Sequence, residues 1–217
     1  MYVLLVVLAM LVLSFLVAPR ALDAEPALAY EPVHVAGVLD ASECARLISR
    51  AEPKLQRSQT LSGVSSVRTS EQAWLAHDDA EVGDVVRKIT RRTAQLVGVY
   101  RARLFEQLQV VRYAPGQEYR PHHDACVAEC PPEKRIPRRA TLLVYLTDDF
   151  ESGATYFPKI TARFKPKKGD GVLFYNADAD TGDVLDQSLH AGEPVSSGTK
   201  WVANCWVRYD PTARLGS

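Results

Sequence analysis

After residue 107 the chain consists of short runs of β-branched, aromatic and other apolar residues, separated by turn residues. Gly, Asp and Pro are frequent between the runs, and Pro115-Gly116 is a clear break of this kind. Runs of this length and composition are typical of β-strands. They lie at residues 108–113, 141–146, 155–157, 171–175, 187–190 and 201–209. This pattern predicts a β-sandwich or jelly roll.

The preceding part of the chain has a helical pattern instead. Residues 40–52 begin with a polar sequence that can cap a helix, and a proline follows them. Residues 81–98 carry an apolar stripe at helical spacing, formed by Val82, Val85, Val86, Ile89 and Leu96. Helices followed by many short strands predict an α+β fold.

The N-terminal segment is almost entirely apolar. Residues 1–18 contain one clearly polar side chain, Ser14, and no Lys or Arg. This length exceeds the apolar core of most signal peptides and is at the short end for a membrane span. We expect residues 1–29 to form a hydrophobic signal-anchor or signal peptide with a short stem, the anchor being favoured over cleavage or a buried core helix. The catalytic domain would span residues 30–210, with 211–217 as a tail.

Composition excludes some partners and leaves one redox question open. The chain has 26 basic and 26 acidic residues, so its formal net charge is zero. We therefore expect no nucleic-acid partner. The four cysteines are too few for a scaffold built on disulfides. Cys126 and Cys130 lie close together in sequence, and both a local disulfide and free thiols are compatible with the spacing.

Two histidines and one aspartate form a candidate metal site. Alternate residues of an extended segment face the same side, so His122 and Asp124 can converge while His123 points away. His190 follows a strand-like run and can face the same cavity. Two histidines and one carboxylate are typical of non-haem Fe(II) centres, because this set leaves positions open for substrate and O₂.

Lys200 is a candidate anion-binding residue. It follows His190 across a segment rich in Gly, Pro and Ser at residues 192–198. If the two flanking strands pair, the Lys200 side chain can enter the pocket that contains His190. A buried ammonium group needs an anionic partner, and a dicarboxylate co-substrate that also chelates the iron would provide one. The alternative is an ordinary surface lysine. Without the other motifs, this alternative is the favoured one for Lys200.

Three motifs connect these residues. They are Tyr113-x-x-Gly116-Gln-x-Tyr119-x-Pro-His122-x-Asp124, then Arg138-x-Ala-Thr141-Leu-Leu-Val-Tyr-Leu-Thr-Asp148, then Ser188-Leu-His-Ala-Gly-x-Pro-Val195 with Lys200-Trp201. In this order they resemble the catalytic domain of the prolyl 4-hydroxylases, a family of 2-oxoglutarate- and Fe(II)-dependent dioxygenases. The resemblance extends over residues 40–209, nearly the whole globular part.

The resemblance implies a double-stranded β-helix (jelly roll) core with supporting N-terminal helices. It also implies roles for individual residues. Fe(II) would be held by His122, Asp124 and His190, and 2-oxoglutarate by Lys200, Tyr113 and Tyr145. The peptide pocket would be formed by Arg68, Ser70, Glu106, Tyr119 and Arg138. Arg208 stands where family members often have a histidine, whereas Trp201 and Trp206 are expected in the core.

The implied activity is hydroxylation of proline residues in peptides or proteins, of the procollagen-proline 4-dioxygenase type. It would consume O₂ and 2-oxoglutarate, release succinate and CO₂, and use ascorbate as a further cofactor. The N-terminal segment would attach the enzyme to an endoplasmic reticulum or secretory-pathway membrane, with the catalytic domain in the lumen. The alternatives are a dioxygenase of the same family that acts on another amino acid or side chain, and a non-catalytic binding module of the same fold.

Overall fold

The computed structural model of the protein describes residues 30–58, 67–125 and 137–210. The expected signal or anchor segment, Cys126, Cys130 and the C-terminal tail lie outside these residues. Within them, no helix combines the length and the apolar composition needed to cross a bilayer.

Two α-helices and a series of short strands make up the described part of the chain. The helices are α1 (Ala41–Ala51) and α2 (Gly83–Val97), close to the predicted ranges. The strands are β1 (Val33–Val35), β2 (Gln56–Arg57), β3 (Glu71–Leu75), β4 (Leu108–Tyr113), β5 (Tyr119–His122), β6 (Arg138–Tyr145), β7 (Glu151–Ser152), β8 (Thr155–Phe157), β9 (Ala162–Phe164), β10 (Gly171–Tyr175), β11 (His190–Gly192), β12 (Val195–Ser197) and β13 (Lys200–Arg208).

Local sequence explains where both helices begin or end. The Asp40 carboxylate accepts a hydrogen bond from the Glu43 backbone N–H, and the Glu43 carboxylate accepts one from the Asp40 N–H, both at 2.8 Å. This capping box satisfies two of the free N–H groups at the start of α1. Helix α2 ends at Gly98, whose φ of 67° is left-handed and therefore suits glycine.

Most of the strands form two facing antiparallel sheets, and β7 pairs with β12 in a separate two-stranded sheet. The large sheet has the order β1-β10-β6-β13-β4-β3-β2, and the small sheet has the order β5-β11-β8-β9. Apolar residues from both sheets form the core between them, including Tyr145, Phe157, Phe174 and Val202. The helices cover the opposite face of the large sheet. This arrangement confirms the α+β, double-stranded β-helix prediction.

One predicted strand is wrong. Residues 187–190 do not form a strand, because Asp186–Ser188 is a 3₁₀ turn and β11 begins only at His190. The backbone N–H and the hydroxyl of Ser188 both donate to the Leu185 carbonyl, at 2.9 and 2.7 Å. A serine side chain that bonds to nearby backbone in this way favours a turn over an extended conformation.

The strands on either side of residues 192–198 do not pair with each other. Strand β11 pairs with β5 and β8 in the small sheet, whereas β13 pairs with β4 and β6 in the large sheet. His190 and Lys200 therefore come from opposite layers of the sandwich. The turn into β13 contains Gly198 at a φ of 74°, where a Cβ atom would lie 2.4 Å from the Asp149 carbonyl oxygen. Only glycine fits this turn, which places Lys200 at the start of β13.

Candidate active site

His122, Asp124 and His190 form one compact group. His122 ends β5, Asp124 follows two residues later, and His190 lies directly opposite His122 in the β5–β11 pair. The potential ligand atoms of the three residues all lie within 4.8 Å of one another. Nε2 of His122 is 3.5 Å from Oδ1 of Asp124, and Nε2 of His190 is 3.8 Å from Oδ2.

Backbone carbonyls orient both imidazole rings. Nδ1 of His122 donates to the Arg120 carbonyl, and Nδ1 of His190 donates to the Ser188 carbonyl, both at 2.8 Å. Because a carbonyl can only accept, Nδ1 of each ring carries a proton, and in the neutral form of each ring the lone pair is on Nε2. Both lone pairs face Asp124, which is the tautomer that metal-binding histidines use.

His123, between the two candidate ligands, points elsewhere. Its Nδ1 is 3.0 Å from the Ser188 hydroxyl. The alternation expected for residues 122–124 therefore holds, although β5 ends at His122 and Asp124 lies in the turn that follows.

The protonation states suit a divalent cation. Burial alone would raise the pKa of the Asp124 carboxyl, but His190 and His122 outweigh it and hold this pKa well below its usual range. Burial, with a smaller contribution from His122, lowers the pKa of His190 to about 4. An ionised carboxylate and a neutral imidazole are the forms that bind a metal, so the residues present fit Fe(II).

Lys200 lies in the large sheet opposite Tyr113 and is 2% exposed. Its ammonium donates to the Gly153 carbonyl at 2.7 Å, and it lies 5.2 Å from the ring centroids of both Tyr113 and Tyr145. Burial lowers the pKa of Lys200 to about 7, against a small opposing effect of Glu193. A buried ammonium with these neutral neighbours is prepared for an anion that the pocket itself does not provide.

The two tyrosines that flank Lys200 are neutral phenols, since burial raises the pKa of both. The Tyr145 hydroxyl donates to the Phe164 carbonyl at 3.1 Å and lies 2.6 Å from the Thr155 hydroxyl. The structure thus brings Lys200, Tyr113 and Tyr145 together around one pocket.

Within the predicted peptide pocket, Tyr119 stacks on His122 and Arg68 lies over Tyr119. The Tyr119 ring lies parallel to the His122 ring at 3.5 Å, and the Arg68 guanidinium lies 4.8 Å from the Tyr119 ring centroid. Ser70 is fully buried, donates to the Ser58 hydroxyl and accepts from Nε of Arg68 at 3.3 Å. Its position suits orienting Arg68 better than contacting a peptide.

The other two residues of the predicted peptide pocket, Glu106 and Arg138, are connected to Asp124 through Trp206. Arg138 makes a bidentate ion pair with Glu106 at 2.8 and 2.9 Å, and Arg208 joins the same carboxylate at 3.2 Å. The Arg138 guanidinium lies 3.5 Å from the centroid of the Trp206 ring. This second stack therefore ends at Trp206, which contacts Asp124.

Two contacts of Asp124 were missed by sequence reasoning. Trp206 Nε1 and the Thr141 hydroxyl both donate to Oδ2 of Asp124, at 3.0 and 2.8 Å. Trp206 is buried as predicted, but its indole N–H still needs an acceptor. Trp201, also buried, belongs to the helix-side core instead. A hydroxyl within the apolar run 141–146 and a buried indole were the available signals.

Comparisons with known proteins agree with this geometry. Residues 108–208 match the model of the 2OG-Fe(II) oxygenase superfamily. A putative prolyl 4-hydroxylase of Acanthamoeba polyphaga mimivirus is 38% identical over 184 residues, which cover 82% of this chain and 74% of the viral protein. Prolyl 4-hydroxylase 1 of Arabidopsis thaliana is 39% identical over 194 residues, covering 81% of this chain and 68% of the plant protein.

A solved structure is similar over most of the described chain. The viral collagen prolyl hydroxylase of Paramecium Bursaria Chlorella virus-1, in its 2-oxoglutarate complex, is 36% identical with a TM-score of 0.66, covering 82% of this chain and 96% of the viral one. A prolyl-4-hydroxylase of Pseudomonas putida, 18% identical with a TM-score of 0.60, shares the fold. The chain belongs to the prolyl 4-hydroxylase family and is a 2-oxoglutarate- and Fe(II)-dependent dioxygenase that uses O₂.

Proposed function

We propose that this enzyme hydroxylates proline residues within extended, proline-rich peptide segments, in the manner of procollagen-proline 4-dioxygenases. The balanced reaction takes up one O₂ and one 2-oxoglutarate, inserts one oxygen atom into a C–H bond of the proline ring, and releases succinate and CO₂. The observation that carries the proposal is Lys200, a buried ammonium with neutral neighbours, in the sheet that faces the His122, Asp124 and His190 group.

Each group of side chains has a distinct task in this reaction. His122, Asp124 and His190 would hold Fe(II), which when bound would activate O₂, the oxidant for decarboxylation and hydroxylation. Lys200 would pair with the distal carboxylate of 2-oxoglutarate and so fix its orientation in the pocket. The phenols of Tyr113 and Tyr145 would line that pocket as neutral hydrogen-bonding groups. Burial of these residues would keep bulk water away from the reacting atoms.

The surroundings of the metal group suit a proline-rich peptide. Such peptides adopt the extended polyproline II conformation and dock on aromatic grooves. Tyr119 presents an aromatic ring beside His122, and Trp74, 39% exposed, packs on the buried Trp206 at a centroid distance of 5.8 Å. Arg68 and Arg138 could donate to peptide carbonyl groups. The names of the relatives, which include a collagen prolyl hydroxylase, point to the same substrate class.

A labelled peptide tests the reaction and its position on the ring. We would incubate the protein with Fe(II), 2-oxoglutarate and a proline-rich peptide that carries deuterium at C4 of proline. Mass spectrometry should show one added oxygen and one lost deuterium per modified proline, with an equal amount of succinate. A peptide with alanine in place of proline is the control substrate. Oxygen on a residue other than proline, or succinate unchanged by any peptide, would identify a different substrate.

The cellular location and the use of ascorbate belong to the same proposal. The apolar residues 1–18 support attachment to an endoplasmic reticulum or secretory-pathway membrane with the catalytic domain in the lumen. Alkaline extraction of membranes from cells that express the full chain would test attachment, and an added glycosylation site would test orientation. Recovery of all the protein in the soluble fraction would contradict attachment. Ascorbate should increase the number of turnovers before inactivation.

A further inference from the structure

We propose that Thr141, Asn176 and Trp206 are positioning residues that make Asp124 a one-oxygen ligand of the metal, through Oδ1. This inference rests on the metal site described above. It assigns a task to three buried polar groups outside the His-Asp-His set: Thr141 and Asn176 are fully buried, and Trp206 is 3% exposed.

The two oxygens of Asp124 have different surroundings. Oδ2 accepts hydrogen bonds from the Thr141 hydroxyl at 2.8 Å and from Trp206 Nε1 at 3.0 Å. Oδ1 faces Nε2 of His122 at 3.5 Å, whereas Oδ2 also lies 3.8 Å from Nε2 of His190. Two donors occupy lone-pair directions of Oδ2 and draw away the electron density that a cation would use. Oδ1 receives neither of these two hydrogen bonds and therefore keeps its lone pairs for the metal.

Asn176 determines the direction of the Thr141 hydroxyl. Nδ2 of Asn176 donates to Oγ1 of Thr141 at 2.8 Å, so the single hydroxyl hydrogen of Thr141 is left for Asp124. The other amide atom, Oδ1 of Asn176, is buried without a hydrogen-bond partner in the described structure. Asn176 thus orders the Thr141–Asp124 hydrogen bond through its Nδ2 group.

The second donor to Asp124, the Trp206 indole, is held in place by Arg138 and Trp74. The Arg138 guanidinium lies 3.5 Å from the centroid of the Trp206 ring, and its bidentate ion pair with Glu106 fixes it there. The Trp74 ring packs against Trp206 at 5.8 Å. These contacts prevent the indole from turning, and its N–H stays directed at Oδ2 of Asp124.

A one-oxygen aspartate has a direct consequence for the site. Two imidazoles and one carboxylate oxygen would leave positions open on a bound Fe(II) for a chelating 2-oxo acid and for O₂. A carboxylate bound through both oxygens would fill one of those positions. The network around Oδ2 would therefore keep that position available.

Three variants test the inference. Thr141→Val keeps the shape of the side chain and removes the hydroxyl, whereas Thr141→Ser restores it. Thr93→Val is the matched control, since Thr93 is a fully buried threonine whose hydroxyl donates to the Ile89 carbonyl within α2. The readouts are the affinity for Fe(II) alone, measured by anaerobic titration, and the charge-transfer absorption band that forms when 2-oxoglutarate is added.

We expect Thr141→Val to bind Fe(II) about 10–100-fold more weakly than the wild type and to shift the absorption band. Thr141→Ser and Thr93→Val should resemble the wild type in both measurements. If Thr141→Val does not fold, Asn176→Leu is the second variant, because it removes the donor to Thr141 without touching a metal ligand.

Unchanged affinity and an unchanged band in a folded Thr141→Val or Asn176→Leu protein would overturn the inference. Equal weakening in Thr93→Val would also overturn it, since that result would indicate a general effect of lost stability. Failure of the wild type itself to bind Fe(II) is a separate outcome, which would refute the proposed metal site.

Discussion

Replacing Lys200 by methionine should make the metal-free protein more stable while it weakens 2-oxoglutarate binding. Methionine keeps most of the length and apolar volume of the lysine side chain and removes its charge. If Lys200 were an ordinary structural residue, its loss should weaken the fold. If Lys200 instead serves to bind an anion, the metal-free protein should be more stable without the lysine. The reason is that its charge is buried without a carboxylate partner in the described structure.

The pKa of Lys200 sets the magnitude. Burial lowers this pKa from 10.5 to about 7 in the folded protein. The unfolded chain therefore binds more protons than the folded one between those pH values, so this residue destabilises the fold fully below pH 7 and progressively less toward pH 10.5. At ~1.4 kcal/mol per pKa unit, the difference corresponds to about 4–5 kcal/mol.

A lost hydrogen bond offsets part of this gain. The Lys200 ammonium donates to the buried Gly153 carbonyl at 2.7 Å, and leaving that acceptor unpaired costs about 1–3 kcal/mol. We therefore expect Lys200→Met to be about 1–4 kcal/mol more stable than the wild type at neutral pH. The gain should shrink as the pH rises through the window between 7 and 10.5.

Urea unfolding of both metal-free proteins across that pH window measures the free-energy difference, and a binding titration with Fe(II) present measures 2-oxoglutarate affinity. Removing one member of a buried charge pair costs ~2–5 kcal/mol, so the affinity should fall at least about 30-fold. Lys54→Met, at an exposed lysine, is the control and should leave binding unchanged. A variant that is less stable than the wild type at every pH, or that binds 2-oxoglutarate normally, would refute the reasoning.

Three further substitutions address other parts of the site. His122→Ala should abolish succinate formation and weaken Fe(II) binding by removing a ligand; full activity would contradict the metal assignment. Arg138→Lys loses the bidentate pair with Glu106 and should raise the KM for the peptide several-fold, so an unchanged peptide KM would count against a peptide-binding role. Gly198→Ala should lower the free energy of unfolding by more than ~1 kcal/mol, since its Cβ would lie 2.4 Å from the Asp149 carbonyl; equal stability in urea would show that the turn can relax.

The sequence predicted those features that depend on local chemistry. The polar start of residues 40–52 marked the beginning of α1, and the alternation of an extended chain placed His122 and Asp124 on one side. It failed where distant segments decide the outcome. Whether the strands of His190 and Lys200 pair with each other or with other strands depends on contacts across the whole sandwich, which spacing along the chain does not encode.

The contacts of Asp124 show a second limit. An apolar run that contains Thr141 or Trp206 looks like ordinary core, because pattern analysis counts how apolar a stretch is and ignores single polar atoms. The hydrogen-bond requirement of a buried indole or hydroxyl was readable, yet its partner was not, since Asp124 is 17 residues from Thr141 and 82 residues from Trp206 in sequence.

The two-layer origin of the site affects which keto acids fit. Lys200 belongs to the large sheet and His190 to the small one, so the span from ammonium to metal depends on the thickness of the sandwich. Phe157 and Phe174 pack against the His190 ring within that gap, at centroid distances of 5.5 and 4.7 Å. We expect these two rings to limit the length of the diacid that fits. Replacing Phe174 by a smaller residue should therefore change the discrimination between 2-oxoglutarate and homologues one methylene shorter or longer.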